Sequence, residues 1–312
     1  MDVIRGLKNW SSTRSSVISI GNFDGVHRGH RSIINILREK SFEYRALSVL
    51  VSFNRNPKEY FGSEKKSILS NLREKTALLE KRKLDKLLIL NFNDALANLS
   101  ARDFVKKILL EKLKLKCLVV GKDFRFGKKR EGDINLLHDF AKEFLFELIV
   151  LNDTTLDDER ISSTMIREHL SNGDMEKAEV LLGEKYSIMG RVVHGRKVAR
   201  TLGFPTANIC LARRRNPALR GVYIVRLCIA QSCYFGVANL GNRPTLSGGN
   251  LSLEVHLFVD NINLYSKHVR VEFLHKIRSE KKFGSFEELK VAVFEDVETA
   301  REWLEVTSMP AD

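Results

Sequence analysis

No stretch of this 312-residue chain approaches the about 18 consecutive apolar residues that a bilayer-crossing helix needs. Met1 to Ser16 also lacks the apolar h-region of a secretory leader. These absences argue against a membrane-spanning class and lead to the expectation of a soluble cytoplasmic protein with no membrane partner. Internal repeats and low-complexity segments are missing too. Cysteine is sparse. Cys117, Cys210, Cys228 and Cys233 are scattered without a C-x-x-C pair, and most lie in strand-like apolar runs. They read as reduced, buried packing residues.

Acidic residues are outnumbered, 39 against 52 Lys and Arg, for a formal net charge of +13. Such a balance is compatible with nucleic-acid binding, with attraction of anionic small molecules, or with a solvated lysine-rich surface. The basic runs Lys128-Lys129-Arg130 and Arg213-Arg214-Arg215 lack the interleaved aromatics of a single-strand platform. The solvated surface is the favoured reading, and no specific nucleic-acid partner is expected.

What is present is enough apolar residue, 43%, for two domains with cores of their own. From Ser16 to about Leu151, apolar runs at Ala46–Phe53, Lys86–Asn91, Cys117–Gly121 and Glu147–Leu151 alternate with amphipathic helical stretches. That alternation predicts an α/β domain, a Rossmann-like parallel sheet doubly wound by helices. Ser100 and Asp103 form a capping box ahead of a helix to Leu113, and Gly183 closes another from Asp174. Beyond Gly183 the apolar period changes from 3.6 to 2, with strands expected at Gly221–Ala230, Cys233–Asn239, Leu251–Asp260 and His268–Phe273. A small antiparallel β-barrel closed by a helix over Phe286–Trp303 follows, with domains at 1–184 and 185–312.

The run Gly21-Asn22-Phe23-Asp24-Gly25-Val26-His27-Arg28-Gly29-His30 lies between a short strand, Val17–Ile20, and a helical stretch. A strand-to-helix turn is where an α/β sheet binds nucleotides, and its glycines let a phosphate approach the backbone. His27 and His30 are three apart, so both imidazoles can face one anion beside the amide-rich helix start. Ser162, Ser163 and Thr164 at a second helix start, with Arg167 one turn on, can converge on a triphosphate. Gly121-Lys122-Asp123-Phe124-Arg125-Phe126-Gly127 either lines a ligand cleft or forms a simple turn.

In the second half, Leu202-Gly203-Phe204-Pro205-Thr206-Ala207-Asn208 carries Thr206 and Asn208 two apart, on one side of an extended strand. Their oxygens suit Mg²⁺ shared with substrate phosphates, or the segment is a turn entering a strand. Alternation along Leu251–Asp260 sets Glu254 and His256 opposite Leu253, Val255, Leu257 and Val259, so Glu254 faces either a cleft or plain solvent.

These segments together resemble the bacterial bifunctional riboflavin kinase and FAD synthetase family over nearly the whole chain. The resemblance rests on G-x-F-D-G-x-H-x-G-H at 21–30, D-F-R-F-G at 123–127, S-S-T-x-I-R at 162–167 and L-G-F-P-T-A-N at 202–208. Gly221-Val222-Tyr223, Gly241-Asn242-Arg243-Pro244-Thr245 and the Leu253–Leu257 strand agree with it. It implies phosphorylation of riboflavin to FMN and adenylyl transfer from ATP to FMN, giving FAD and pyrophosphate, with Mg²⁺ required.

On that resemblance Gly21, Phe23, Asp24, His27, Gly29, His30, Ser162, Ser163, Thr164 and Arg167 serve the adenylyltransferase ATP. Asn56, Asp123, Phe124 and Phe126 border the flavin or phosphate cleft, the last two being alternatively core aromatics. Gly195, Arg200, Gly203, Phe204 and Pro205 hold the kinase ATP, Thr206 and Asn208 the metal, and Glu254 is the base. The partners implied are small molecules, and a homo-oligomer is compatible with the sequence.

The chain departs from the family pattern in three places. Arg55-Asn56-Pro57 stands where Pro-His-Pro is common, Ala199 where glycine precedes the L-G-F-P-T-A-N run, and Ser266 where glycine follows Tyr265. The first opens an alternative in which the adenylyltransferase half is weakened and the protein is a riboflavin kinase alone.

Overall fold

Short apolar runs between amphipathic stretches leave the first half of the chain one economical packing, a sheet buried on both faces. The computed structural model describes residues 1–62, 67–156, 159–194, 204–212, 216–242, 251–259 and 262–308. Packing divides the chain into two units, residues 1–66 with 72–163, and residues 67–71 with 164–312.

The first unit runs β1 (Asp2–Arg5), β2 (Ser16–Ile20), α1 (Arg28–Glu43), β3 (Leu47–Phe53), α2 (Pro57–Phe61), α3 (Leu72–Glu80), β4 (Lys86–Leu90), α4 (Asp94–Ala97) and α5 (Ala101–Asp103). The last continues as a π-helix, Phe104–Lys112, followed by β5 (Leu115–Gly121), α6 (Ile134–Phe144), β6 (Glu147–Leu151), β7 (Thr155–Leu156) and β8 (Glu159–Arg160). The first six strands pair in the order β1-β4-β3-β2-β5-β6, every pair parallel. Alternate residues serve the two faces. Ile18, Val49, Leu88, Leu118 and Val120 pack with Leu109 of the π-helix and Leu137 and Phe140 of α6. Val17, Leu50, Leu87, Cys117 and Val119 pack with Ile34 and Leu37 of α1 and Leu79 of α3. Each such aliphatic side chain contributes about 1.5–3 kcal/mol on burial.

Strand order reverses at β2, because the chain steps from β2 to β3 and β4 on one side and then crosses to β5 and β6 on the other. The crevice at the carboxyl ends of β2 and β5 is therefore the topological switch point, where ligands of such sheets bind.

The second unit holds α7 (Ser163–Asn172, of which Ser163 itself groups with the first unit), α8 (Met175–Leu182), β9 (Ser187–Val193), β10 (Thr206–Cys210), β11 (Gly221–Ile229), β12 (Ser232–Asn242), β13 (Leu251–Leu257), β14 (His268–Arg278) and α9 (Phe286–Ser308). Gly183 ends α8 in the left-handed conformation. Strands β9 to β14 close into an antiparallel barrel in the order β10-β13-β12-β11-β14-β9. Tyr223, Val225, Leu227, Leu253 and Val255 are wholly buried, while the alternating Val222, Ile224 and Val237 pack beneath Val297 and Ala300 of α9.

One reading is corrected. Cys228 and Cys233 are not reduced packing residues but a disulfide, because the β11–β12 hairpin sets them directly opposite with Cα atoms 4.1 Å apart. The spacing of a two-residue turn, not C-x-x-C, is the relevant signal. Cys210 is an exposed free thiol, and Cys117 is a buried one. Burial, with Glu147 beside it, pushes the Cys117 thiol up to about 12. Strand β1, the β7–β8 hairpin and β9 were not anticipated. No helix among the described residues is long and apolar enough to cross a membrane.

Candidate active sites

The turn after β2 is held in conformations that only a well-supported loop keeps. Phe23 and Val26 have φ of 47° and 44°, beside Gly25 at 80°. Non-glycine residues in that region cost on the order of 1–3 kcal/mol each, and both side chains are buried in the core below α1. His27 is the N-cap of α1, which begins at Arg28, and His30 is its third residue. Their rings stack with centroids 3.6 Å apart and an interplanar angle of 22°. Gly29 permits this, since a Cβ there would stand 3.3 Å from His27 Nδ1.

The buried Nδ1 of His30 has no hydrogen-bond partner among the described residues. Burial first, then the charges of His27 and Lys75, hold its imidazole well below the usual range. An imidazole so placed beside helix amides can donate to an anion, whose arrival favours the charged form.

Ser163 is brought to the same turn, its Oγ donating to the Asp24 carbonyl at 3.1 Å. Gly21 is anchored through its N–H to the Val51 carbonyl, and Ser162 precedes α7 directly. Asn56 is the acceptor at the start of α2, its carbonyl taking the N–H groups of Glu59 and Tyr60. Asp123, exposed, is paired with Arg160 at 2.5 Å, and Arg160 also meets Asp153. Phe126 is buried in the core with Phe104, and the half-buried Phe124 stacks on Phe126 at 5.6 Å. Thr164 and Arg167 belong to the second unit, where Arg167 Nε donates to the Ser67 carbonyl at 2.7 Å and both line a hollow with Asn216 and Arg220.

Lys75 is a residue the sequence reading passed over. It is buried, and its Nζ donates to the Asn22 carbonyl and to Ser52 Oγ. A lysine four residues before the core residue Leu79 on one helix was the available signal.

In the barrel unit a cavity of about 260 Å³ is lined by Phe204, Thr206, Asn239, Glu254, His256 and Arg278, with α9 at its back. Register explains the convergence. Thr206 pairs with His256 and Asn208 with Glu254 across β10 and β13, while Asn239 of β12 pairs with Glu254 from the other side. Directly paired residues share a face, so these polar groups stand in one row. Asn208 is buried within that row. His256 Nδ1 lies 3.0 Å from the Pro205 carbonyl. Arg278 makes a two-point pair with the buried Asp296 of α9, both contacts 2.7 Å. Asn239, Arg278 and Asp296 were not foreseen, because strand alternation does not say which strands meet.

Gly195, Ala199, Arg200, Gly203, the triple arginine at 213–215 and Arg243-Pro244-Thr245 lie outside the described residues. Ser266, where the family has glycine, adopts a φ of 63°, a conformation that favours glycine. Among the described residues no three His, Cys, Asp or Glu side chains gather as a metal cluster.

A parallel sheet with a histidine-bearing turn at its switch point, joined in one chain to a barrel with a carboxylate-bearing cavity, defines a two-domain protein with a candidate site in each unit. Residues 10–165 match the FAD synthetase family and residues 182–304 the riboflavin kinase family. A bifunctional riboflavin kinase/FMN adenylyltransferase of Haemophilus influenzae is 45% identical over 304 residues, covering 96% of this chain and 98% of that protein. Its counterpart in Escherichia coli K12 is 40% identical over 98% of this chain and 99% of its own length. A crystal structure described as a macrolide-efflux protein from Streptococcus pneumoniae superposes with a TM-score of 0.84 at 29% identity, covering 96% of this chain and 99% of that one. The chain belongs to the bifunctional riboflavin kinase/FMN adenylyltransferase family.

Proposed function

We propose that the chain makes FAD in two ATP-dependent steps, riboflavin to FMN in the barrel unit and FMN to FAD at the switch point of the sheet. The observation that carries this is the contrast between the sites: Glu254 stands in the cavity wall beside Thr206, whereas the turn after β2 presents two stacked imidazoles. In the first step the ribityl hydroxyl oxygen bonds to the γ-phosphorus, the β–γ bridge breaks and ADP leaves. The hydroxyl proton needs an acceptor, and of the cavity's carboxylates, Glu254, Glu280 and Asp296, Glu254 is the one in the row with Thr206 and Asn208. In the second step a phosphate oxygen of FMN bonds to the α-phosphorus and pyrophosphate leaves. That nucleophile is already anionic, so alignment and charge stabilisation suffice.

The hydroxyl of Thr206 and the amide oxygen of Asn208 are hard oxygen donors on one strand face, a pair that with substrate phosphates fits Mg²⁺ and leaves the proton to Glu254. Bound there, the ion would neutralise phosphate charge during transfer. Residues 1–184 are assigned to adenylyl transfer and 185–312 to the kinase. Cytoplasmic residence, with ATP to hand, suits both steps. Family matches over both halves favour two activities over the kinase-only alternative.

The test is to incubate purified protein with riboflavin, ATP and Mg²⁺ and to separate the flavins over time. FAD appearing after FMN is expected. FMN alone would return attention to Asn56, and unchanged riboflavin would overturn the reading.

A further inference from the structure

Lys75 is the only buried lysine among the described residues. An ammonium in such a place is unfavourable unless its hydrogen bonds are made. Here it donates to the Asn22 carbonyl at 2.5 Å and to Ser52 Oγ at 3.2 Å, and Ser52 Oγ itself donates to the same carbonyl at 3.3 Å. Asn22 is the residue before Phe23, where the backbone turns to positive φ. The lysine thus grips the turn from below, at the point from which the chain swings out to His27 and His30.

We propose that Lys75 is a positioning residue for adenylyl transfer, its ammonium pinning the Asn22 carbonyl and so fixing the turn that carries His27 and His30 to the nucleotide. The role rests on adenylyl transfer being the reaction of this unit. The groups that bear on the same charge balance are His27 and Lys75 around His30, and Asp24 opposite Lys75. Lys75 opposes protonation of His30, burial favours loss of its own proton, and the Asp24 carboxylate works against that loss.

Lys75→Met keeps length and removes both charge and donor. FAD formation from FMN is expected to lose tenfold or more in kcat, with FMN formation from riboflavin unchanged in the same molecule. The His30 ring titration, followed by NMR, is expected to move up in pH once the neighbouring positive charge is gone. A kcat within twofold of wild type overturns the proposal, and so does a lost kcat with an unmoved titration, which marks a packing defect only. Lys75→Gln, a donor without charge, is expected to recover part of kcat while leaving the titration displaced. It also carries the test if the Met variant does not fold. If the wild type makes no FAD, the functional reading falls, and an unmoved His30 titration then overturns the positioning role independently.

Discussion

In the sheet unit the polar groups of the site stand on a turn containing two non-glycine residues at positive φ. In the barrel, Thr206, Asn208, Asn239, Glu254 and His256 stand on hydrogen-bonded strands whose register alone aligns them. The first arrangement stacks two imidazoles at a helix start and is held from below by hydrogen bonds from Lys75 and Ser52 to the Asn22 carbonyl. In the second, none of those five residues has a positive φ, and a carboxylate is presented. The difference follows from the nucleophiles. A phosphate monoester arrives without a proton to lose, and an alcohol does not.

The sharpest break of that comparison is Glu254→Gln, which keeps shape and removes the proton acceptor. FMN formation is expected to fall by about 10²- to 10⁴-fold, the usual worth of general base catalysis, while FAD formation from added FMN persists. Loss of both activities would mean that the two sites are not separable in the way their geometry suggests.

Next in size is His30→Gln. Removing one donor to developing charge typically costs about 10²- to 10³-fold in kcat, here in FAD formation alone. Its pH dependence carries a sign. Burial, then two neighbouring positive groups, depress the imidazole's proton affinity in the free protein, and a phosphate beside it would favour its charged form. Nucleotide affinity should therefore rise as the pH falls, along a limb that levels off only below the ordinary histidine range, and this limb should vanish in the variant. An unchanged limb would transfer the titration to another group.

The sheet was largely legible beforehand, and the barrel less so, for physical reasons visible in particular residues. Strands β2 to β5 are largely buried on both faces and the edge strand β6 is half-buried, so their sequences are mostly apolar runs bounded by turn residues. Strand β9, Ser187–Val193, alternates burial and contains Gly190, which leaves a weaker imprint. The histidine turn announced itself by glycine and histidine spacing. Lys75 left only its spacing from Leu79, because a lone lysine in a helix carries no motif, and its burial depends on the approach of Asn22 and Ser52 from more than twenty residues away. The Arg278–Asp296 pair likewise arises from the docking of α9 on the barrel. The aromatics of 123–127 went partly to the core, since Phe126 fills space beside Phe104.

The smallest effect expected is at the hairpin disulfide. Cys228 and Cys233 are five apart in sequence, and closing so short a loop limits the unfolded chain by only about 2 kcal/mol on the chain-entropy estimate. Cys233→Ser should lower the barrel's denaturation midpoint slightly and leave both activities as they are, as should reduction of the wild type. The β11–β12 ladder runs without interruption from Ile229–Ser232 to Gly221–Leu240, so register at Asn239 is held by backbone pairing whether or not the sulfurs are joined. Should FMN formation drop in Cys233→Ser, the strand wall would depend on its turn for alignment. The barrel site would then be as dependent on remote support as the site on the sheet.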